Sequence, residues 1–261
     1  MVDNITIIGG HGKTGSPDLV EKVELRMGDV VSIVGPTGSG KTTLINDIEM
    51  FADGNTPSGR RVLFDGVPAP LEYRDDPSCN PVALITQHTT FLSDLPVELF
   101  LTTHAKVRGN GTDTIERVIG ETIAFANELT GEPLSGESRM TELSGGQTRA
   151  LLIADAAIIC STPIVLLDEV ENAGIHRTRA IELLRKYRKI FVFVTHDPRI
   201  ALLSDSRIVM KNGRMVDFLM TNADERLFSH KVGRLDDALA ALRDQLRHGQ
   251  RLNGTELDGL T

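Results

Sequence analysis

Eight consecutive residues constrain this chain more than any others. Gly35, Pro36, Thr37, Gly38, Ser39, Gly40, Lys41 and Thr42 match G-x-x-x-x-G-K-[ST] at every fixed position. The apolar run Val30–Val34 before them predicts a buried strand, and Thr43–Ile48 after them predicts the opening of a helix. A loop in that setting cradles phosphate. Glycines let successive backbone N–H groups turn toward one anion, and the helix start adds roughly half a positive charge. Lys41 is placed to bridge the outer phosphates, and the Thr42 hydroxyl to ligate Mg²⁺. Thr43, next in the chain, joins this nucleotide-binding set.

The rest of the chain arranges itself around that loop. Residues 1–34 read as short strands, with Leu19–Leu25 alternating. Gly9–Gly15 imitates a second phosphate loop. Ile7 stands where the motif needs glycine, and no apolar helix follows, so this stretch reads as a mobile strand connection. Arg61–Val67 predicts a strand with an Asp-Gly turn, and Pro81–Ile85 a short buried strand. From Phe91 to about Thr130 the period becomes helical, with Pro96 near a helix start and a break at Arg108–Gly111. Strand and helix then alternate. Ile164–Leu167 and Ile190–Val194 are strands, and the segments between are helical. Arg207–Arg214 reads as a hairpin with an Asn-Gly turn. Past Ser229, Leu235, Leu239, Leu242 and Leu246 recur at helical spacing, as in a docking or partner helix. Gly249–Thr261 is polar and expected to be mobile. Such alternation predicts an α/β fold with a mostly parallel sheet, helices on both faces and ligands at the carboxyl ends of the strands.

Composition excludes several classes. A chain of 261 residues suits one large or two small domains. Its formal charge of −8 argues against nucleic acid as the main partner. Cys79 and Cys160 are too few and too far apart for a disulfide framework or a zinc ligand set, which suits a reducing, cytoplasmic setting. No apolar run approaches the ~20 residues of a membrane span. Any membrane contact is expected to pass through a partner.

Acid–base and metal chemistry is expected at the strand ends. Asp168 closes an apolar strand, where a carboxylate would hold Mg²⁺ beside Thr42. Glu169 points the other way and could polarise a water in line with the terminal phosphate. His196 ends the next strand and could donate to that phosphate. Gln87 could reach the metal or the water through its amide. Ser144-Gly145-Gly146-Gln147 sets a hydroxyl and two glycine N–H groups at a helix start, a second anion site. One phosphate loop plus one such site suggests that the second serves the nucleotide of another copy.

Gly35–Thr42, Gln87, Leu143–Gln147, Ile164–Glu169 and Thr195-His196-Asp197 stand in the order and rough spacing of the ATP-binding cassette (ABC) ATPases, which the chain resembles over about residues 1–220. The resemblance implies a P-loop NTPase core with an N-terminal antiparallel β subdomain and an inserted α-helical subdomain at about 88–145. With the leucine pattern past Ser229, this divides the chain into an ATPase domain over 1–228 and a C-terminal helix and tail over 229–261. The resemblance also implies ATP and Mg²⁺ as ligands, and two copies packed head to tail around ATP. Glu169 then resembles the family's catalytic base, His196 its switch histidine and Gln87 its Q-loop residue, also near the metal. The lobe around Gln87 and Phe91–His104 would touch the driven partner.

Two departures stand out. No Phe, Tyr or Trp precedes Phe51, where the family usually stacks an aromatic ring on adenine; His11 or an aliphatic side chain is the substitute. Val170–His176 contains no Asp, and His176 takes the place of the residue that senses the opposite site. Two functions fit the resemblance: the ATP-binding subunit of a membrane transporter working with separate permease subunits, or a soluble ATPase that remodels or activates a client protein. A coiled-coil repair ATPase does not fit, because only 56 residues separate Gln87 from Ser144.

Overall fold

The computed structural model describes residues 2–76, 79–86, 88–91, 93–109, 111–160, 162–169 and 177–251. Gln87, the loop 170–176 with His176, and the tail 252–261 lie outside the described residues. The strands are β1 Asn4–Ile8, β2 Lys22–Arg26, β3 Val30–Val34, β4 Arg61–Phe64, β5 Val67–Pro68, β6 Val82–Ile85, β7 Ile164–Asp168, β8 Ile190–Val194, β9 Ser206–Lys211 and β10 Arg214–Met220. The helices are α1 Lys41–Glu49, α2 Glu72–Asp75, α3 Val97–Val107, α4 Thr112–Leu129, α5 Gly145–Ile158, α6 Arg177–Leu184, α7 Pro198–Leu203 and α8 Ala223–Arg247.

Six strands form the central sheet in the order β10-β9-β3-β8-β7-β6. The pairs from β9 to β6 are parallel, and β10 pairs antiparallel at one edge. A parallel strand covered on both faces must be apolar at every position. In β7, Ile164 and Leu166 enter one core while Val165 and Leu167 enter the other, and in β8 Phe191 and Phe193 oppose Ile190, Val192 and Val194. One face is covered by α3 to α7. The other is covered by α1 together with an antiparallel sheet, order β2-β1-β4-β5, that packs through Ile5, Ile7, Val23, Leu25 and Phe64. The mostly parallel α/β core, the N-terminal β layer and the inserted helices are therefore all present. A strand face does on the second side part of what a helix was expected to do.

Local chemistry accounts for the boundaries. Asp65 and Gly66 both have positive φ, 50° and 82°, and so do Asn212 and Gly213, 53° and 82°. These are the left-handed pairs that a two-residue hairpin requires. Pro96 is the N-cap of α3, one position ahead of the first helical turn, in extended conformation. The helix α8 opens at Ala223, ahead of the leucine pattern past Ser229. Within Leu19–Leu25, pairing begins only at Lys22, and Leu19 is exposed.

Residues 9–15 differ most from expectation. Gly9 N–H donates to Glu21 O (2.8 Å), His11 N–H to Ser58 O (2.7 Å), and Lys13 Nζ to Gly38 O (3.0 Å). His11 also pairs with Pro17 as an isolated bridge. The stretch is a strand connection, tied at several points rather than loose. No helix among the described residues is long and apolar enough to cross a membrane.

Candidate nucleotide site

Sheet order assembles the site. In a parallel sheet the loops leaving adjacent strands emerge side by side. The strands β3, β8 and β7 are neighbours, so the loop 35–42, Thr195-His196 and Asp168-Glu169 meet at one end of the sheet although they are far apart in sequence. The strand β6, which leads toward Gln87, lies next to β7.

The loop 35–42 is held by the β9–β10 hairpin. Gly213 N–H donates to Ser39 O at 2.7 Å. Gly40 has φ 98°, and a Cβ there would lie 2.8 Å from the Gly213 backbone. Gly35 has φ 151°, and its Cβ would strike Met210 O at 2.3 Å. Each glycine thus meets both a conformational and a steric demand. No side chain caps α1, and its first turn carries no acid, which leaves its N-terminal N–H groups to an anion. Among the described residues, Ser39 Oγ is buried without a hydrogen-bond partner. Lys41, itself buried, donates from Nζ to Gly35 O (2.9 Å) and Pro36 O (3.3 Å). These donors fit a phosphate chain, which would replace neutral carbonyls by charged acceptors.

At the neighbouring strand ends, Glu169 Oε1 lies 3.3 Å from His196 Nε2. Glu169 has φ 50°, a backbone conformation rare for a residue other than glycine or asparagine, and its N–H donates to Val194 O at 3.0 Å. The strained turn breaks the strand at the acid, and the bond to β8 fixes it. Asp168 remains in register with Val194 at the end of β7. Asp197 caps α7 through Arg199 N–H (2.7 Å), which anchors the chain just past His196. Thr42 and Thr43 are exposed on the first turn of α1. Thr42 and Asp168 supply the hard oxygen donors that suit Mg²⁺.

Ser144-Gly145-Gly146-Gln147 opens α5 as a capping box. Gln147 N–H donates to Ser144 Oγ (3.3 Å), and Ser144 N–H donates to Gln147 Oε1 (2.9 Å). The amide of Gln147 also reaches Glu132 O and Pro133 O. In this cap the Ser144 hydroxyl accepts, which leaves its proton to donate elsewhere.

Sequence reasoning missed a buried clasp behind the loop. Arg60 has no solvent exposure. Its Nε and Nη2 donate to Asp18 (2.9 and 3.0 Å), its Nη1 to Asp47 Oδ2 (3.2 Å), and its Nη2 also to Gly213 O (2.7 Å). Asp18 further accepts Gly10 N–H and Met215 N–H. Burial alone would raise the Asp18 carboxyl. The hydrogen bonds from Arg60, Gly10 and Met215, together with the guanidinium charge, outweigh it and hold the pKa below its ordinary value. One arginine therefore joins the 9–18 connection, α1 and the hairpin. Nothing in the linear pattern marked it, because its partners lie 13 to 153 residues away.

A second cluster, His104, Asp155 and Cys160, brings three ligand-type atoms within 4.8 Å of one another. His104 Nδ1 pairs with Asp155 Oδ1 at 2.8 Å while Arg108 Nε donates to His104 Nε2. Burial, and next the Asp155 charge, push the Cys160 thiol up to about 11. A metal-bound imidazole normally donates its other N–H rather than accepting there, and a metal needs the thiolate. This cluster is a hydrogen-bonded tie between α3 and α5.

A phosphate loop after β3, with an acid and a histidine at the ends of the next two strands, defines a P-loop nucleotide-binding protein of the α/β class. The sequence profile described as ABC transporter matches residues 21–172. The chain belongs to this family and is an ATP-binding cassette of the ABC transporter type. It is 46% identical over 256 residues to an ABC transporter ATP-binding protein, MJ0121 of Methanocaldococcus jannaschii, with 98% of this chain and 97% of that one covered. It is 31% identical over 230 residues to the ATP-dependent lipid A-core flippase of Paraburkholderia xenovorans, matching 82% of this chain but only 36% of that protein. Among solved structures, cbiO1 of Clostridium perfringens, part of the ABC transporter complex cbiONQ, superposes with a TM-score of 0.65 at 19% identity, covering 95% and 100% of the two chains. The ATP-binding cassette MJ0796, a dimer in a post-hydrolysis state bound to ADP and Pi, gives 0.61 at 22% identity over 84% and 99%. At these identities the two structures speak to the fold alone.

Proposed function

We propose that this chain hydrolyses ATP as one of two copies closed head to tail, and that the cycle drives separate membrane-spanning permease subunits from the cytoplasmic side. The observation that carries the chemistry is the Glu169–His196 contact beside the Lys41 loop. Glu169 takes a proton from water as its oxygen bonds to the γ-phosphorus. The bond from that phosphorus to the ADP oxygen breaks, and ADP leaves with the electron pair. Lys41 exchanges its carbonyl partners for the β- and γ-phosphates, and His196 donates to the γ-phosphate. Thr42 and Asp168, with Gln87, are the residues to hold Mg²⁺, which supplies neutralisation of phosphate charge. The second copy contributes Ser144, Gly145 and Gly146 at the start of its α5, held in shape by Gln147. Lys41→Ala is expected to weaken ATP binding by roughly 10–100-fold, the worth of hydrogen bonds to a charged group. Titration with a fluorescent ATP analogue measures it, and an unchanged affinity would contradict the phosphate role.

A cavity of about 320 Å³ beside Thr43 is lined by His11, Lys13, Pro57 and Gly213 among others. The imidazole of His11 lies against Gly59, 3.1 Å from where a Cβ would stand. We assign the nucleobase to this pocket, with His11 in place of a larger aromatic ring. His11→Ala is expected to weaken ATP about fivefold, the lower end of a stacking contribution. Equal loss for ATP and for inorganic triphosphate, in competition binding, would place the effect on the phosphates instead.

For the driven partner, the helical lobe offers a groove of about 320 Å³ lined by Pro96, Glu98, Leu99, Thr102, Gly136 and Glu137, with Leu95 and Leu99 exposed beside it. Co-purification of the native chain with a membrane-spanning protein supports the transporter reading. A soluble enzyme alone would assign the cassette to remodelling a client.

A further inference from the structure

The helix α8 carries a feature that the nucleotide site leaves unused. Phe228, Val232, Leu235, Leu239, Leu242 and Leu246 follow spacings of 4, 3, 4, 3 and 4, the a/d repeat of a coiled coil. At 3.6 residues per turn they fall within an arc of roughly 80°. Phe228, Leu235, Leu239 and Leu246 are about half exposed, at 55%, 49%, 48% and 58%. The side of α8 that meets the cassette is a different one. Ser229 and Gly233 are buried, Gly233 against the Arg199 guanidinium of α7, and Arg199 pairs with Asp237.

We propose that this seam pairs α8 with α8 of a second copy, so that two chains associate without nucleotide. The seam argues for another helix. A globular neighbour asks for a broad apolar face, whereas a strict a/d line fits a single partner helix with the same repeat. Charge selects among candidates. The helix carries five acids and five bases, so its sequence is electrically neutral. A membrane-surface helix would be rich in Lys and Arg on its polar side. A neutral helix meets its own copy without net repulsion. Under three heptads is short, so the dimer is expected to be of micromolar strength. Its role is to keep two cassettes at high effective concentration between rounds of ATP closure.

Sedimentation velocity of the full chain in a chelator, over a micromolar concentration series, tests this. A monomer–dimer equilibrium is expected. Leu235→Glu/Leu239→Glu, with the milder Leu235→Gln/Leu239→Gln as a second variant, is expected to raise the dissociation constant at least about tenfold. Helix content and the thermal midpoint of the cassette should stay at parent values in at least one of them. Adding Glu169→Gln and ATP separates the two contacts. Loss of ATP-dependent closure with a surviving nucleotide-free dimer would overturn the head-to-tail reading and leave this one standing. A parent chain monomeric throughout without nucleotide would overturn the α8 pairing. So would a dimer indifferent to both variants, or binding to lipid vesicles that both variants abolish.

Discussion

Glu169→Gln is expected to bind ATP as tightly as the parent chain and to hydrolyse it about 10²–10⁴-fold more slowly, the range of a positioned general base. The amide keeps the size and position of the acid but cannot take up the proton that water loses. The backbone around it should not change, because the turn at φ 50° is held by the bond from Glu169 N–H to Val194 O rather than by the side chain. The contact with His196 at 3.3 Å persists with the amide as partner. With hydrolysis stopped and binding intact, the ATP-closed pair should accumulate. Phosphate release and size-exclusion chromatography with and without ATP read the two effects. A variant that turns over at the parent rate would remove Glu169 from the chemistry.

Arg60→Met is expected to cost about 3–5 kcal/mol of stability at neutral pH, because it strips the partner from buried carboxylates. The Asp18 and Asp47 side chains are only 1% and 3% exposed. The clasp also leads to the loop: Arg60 holds Gly213 O, and Gly213 N–H holds Ser39 O. Weakened ATP binding should therefore accompany the loss. The pH dependence has a definite sign. The folded-state pKa of Asp18 is lowered, so its contribution is present in full above the unfolded value of about 3.9 and fades as pH falls through the folded value. The stability gap between parent and variant should shrink steadily as pH falls into the acid range, because Asp18 in the variant is left to the burial that raises it and protonates first, while Asp18 in the parent stays ionised. Urea unfolding across pH measures it. Equal midpoints at pH 7 would mean that the clasp contributes nothing.

Much of this was legible in the chain. The strands β3, β7 and β8 announced themselves as continuous apolar runs, since both of their faces are buried. Gly35–Thr42 was legible because an anion cradle built from backbone needs glycine at set places, and the clashes a Cβ would meet at Gly35 and Gly40 show the same demand in space. The connection that Lys13 ties to that loop was not. Gly9–Gly15 reads as a slack connection until Ser58, Asn212 and Gly38 arrive from elsewhere to bind it. The extent of β2 was not legible for a similar reason: alternation at Leu19 suits a strand, but β1 ends at Ile8, which pairs with Lys22.

Local sequence, then, determined most of the elements and set Gly35–Thr42, Asp168-Glu169, His196 and Ser144–Gln147 at their ends. These depend on periodicity and on backbone conformations that a few neighbouring residues control. Tertiary structure alone decided that β8 lies between β3 and β7, which brings Glu169 to His196, and that Arg60 joins three distant segments. Sheet order and buried charge pairing are set by which surfaces exclude water together, and no short window of sequence contains both partners.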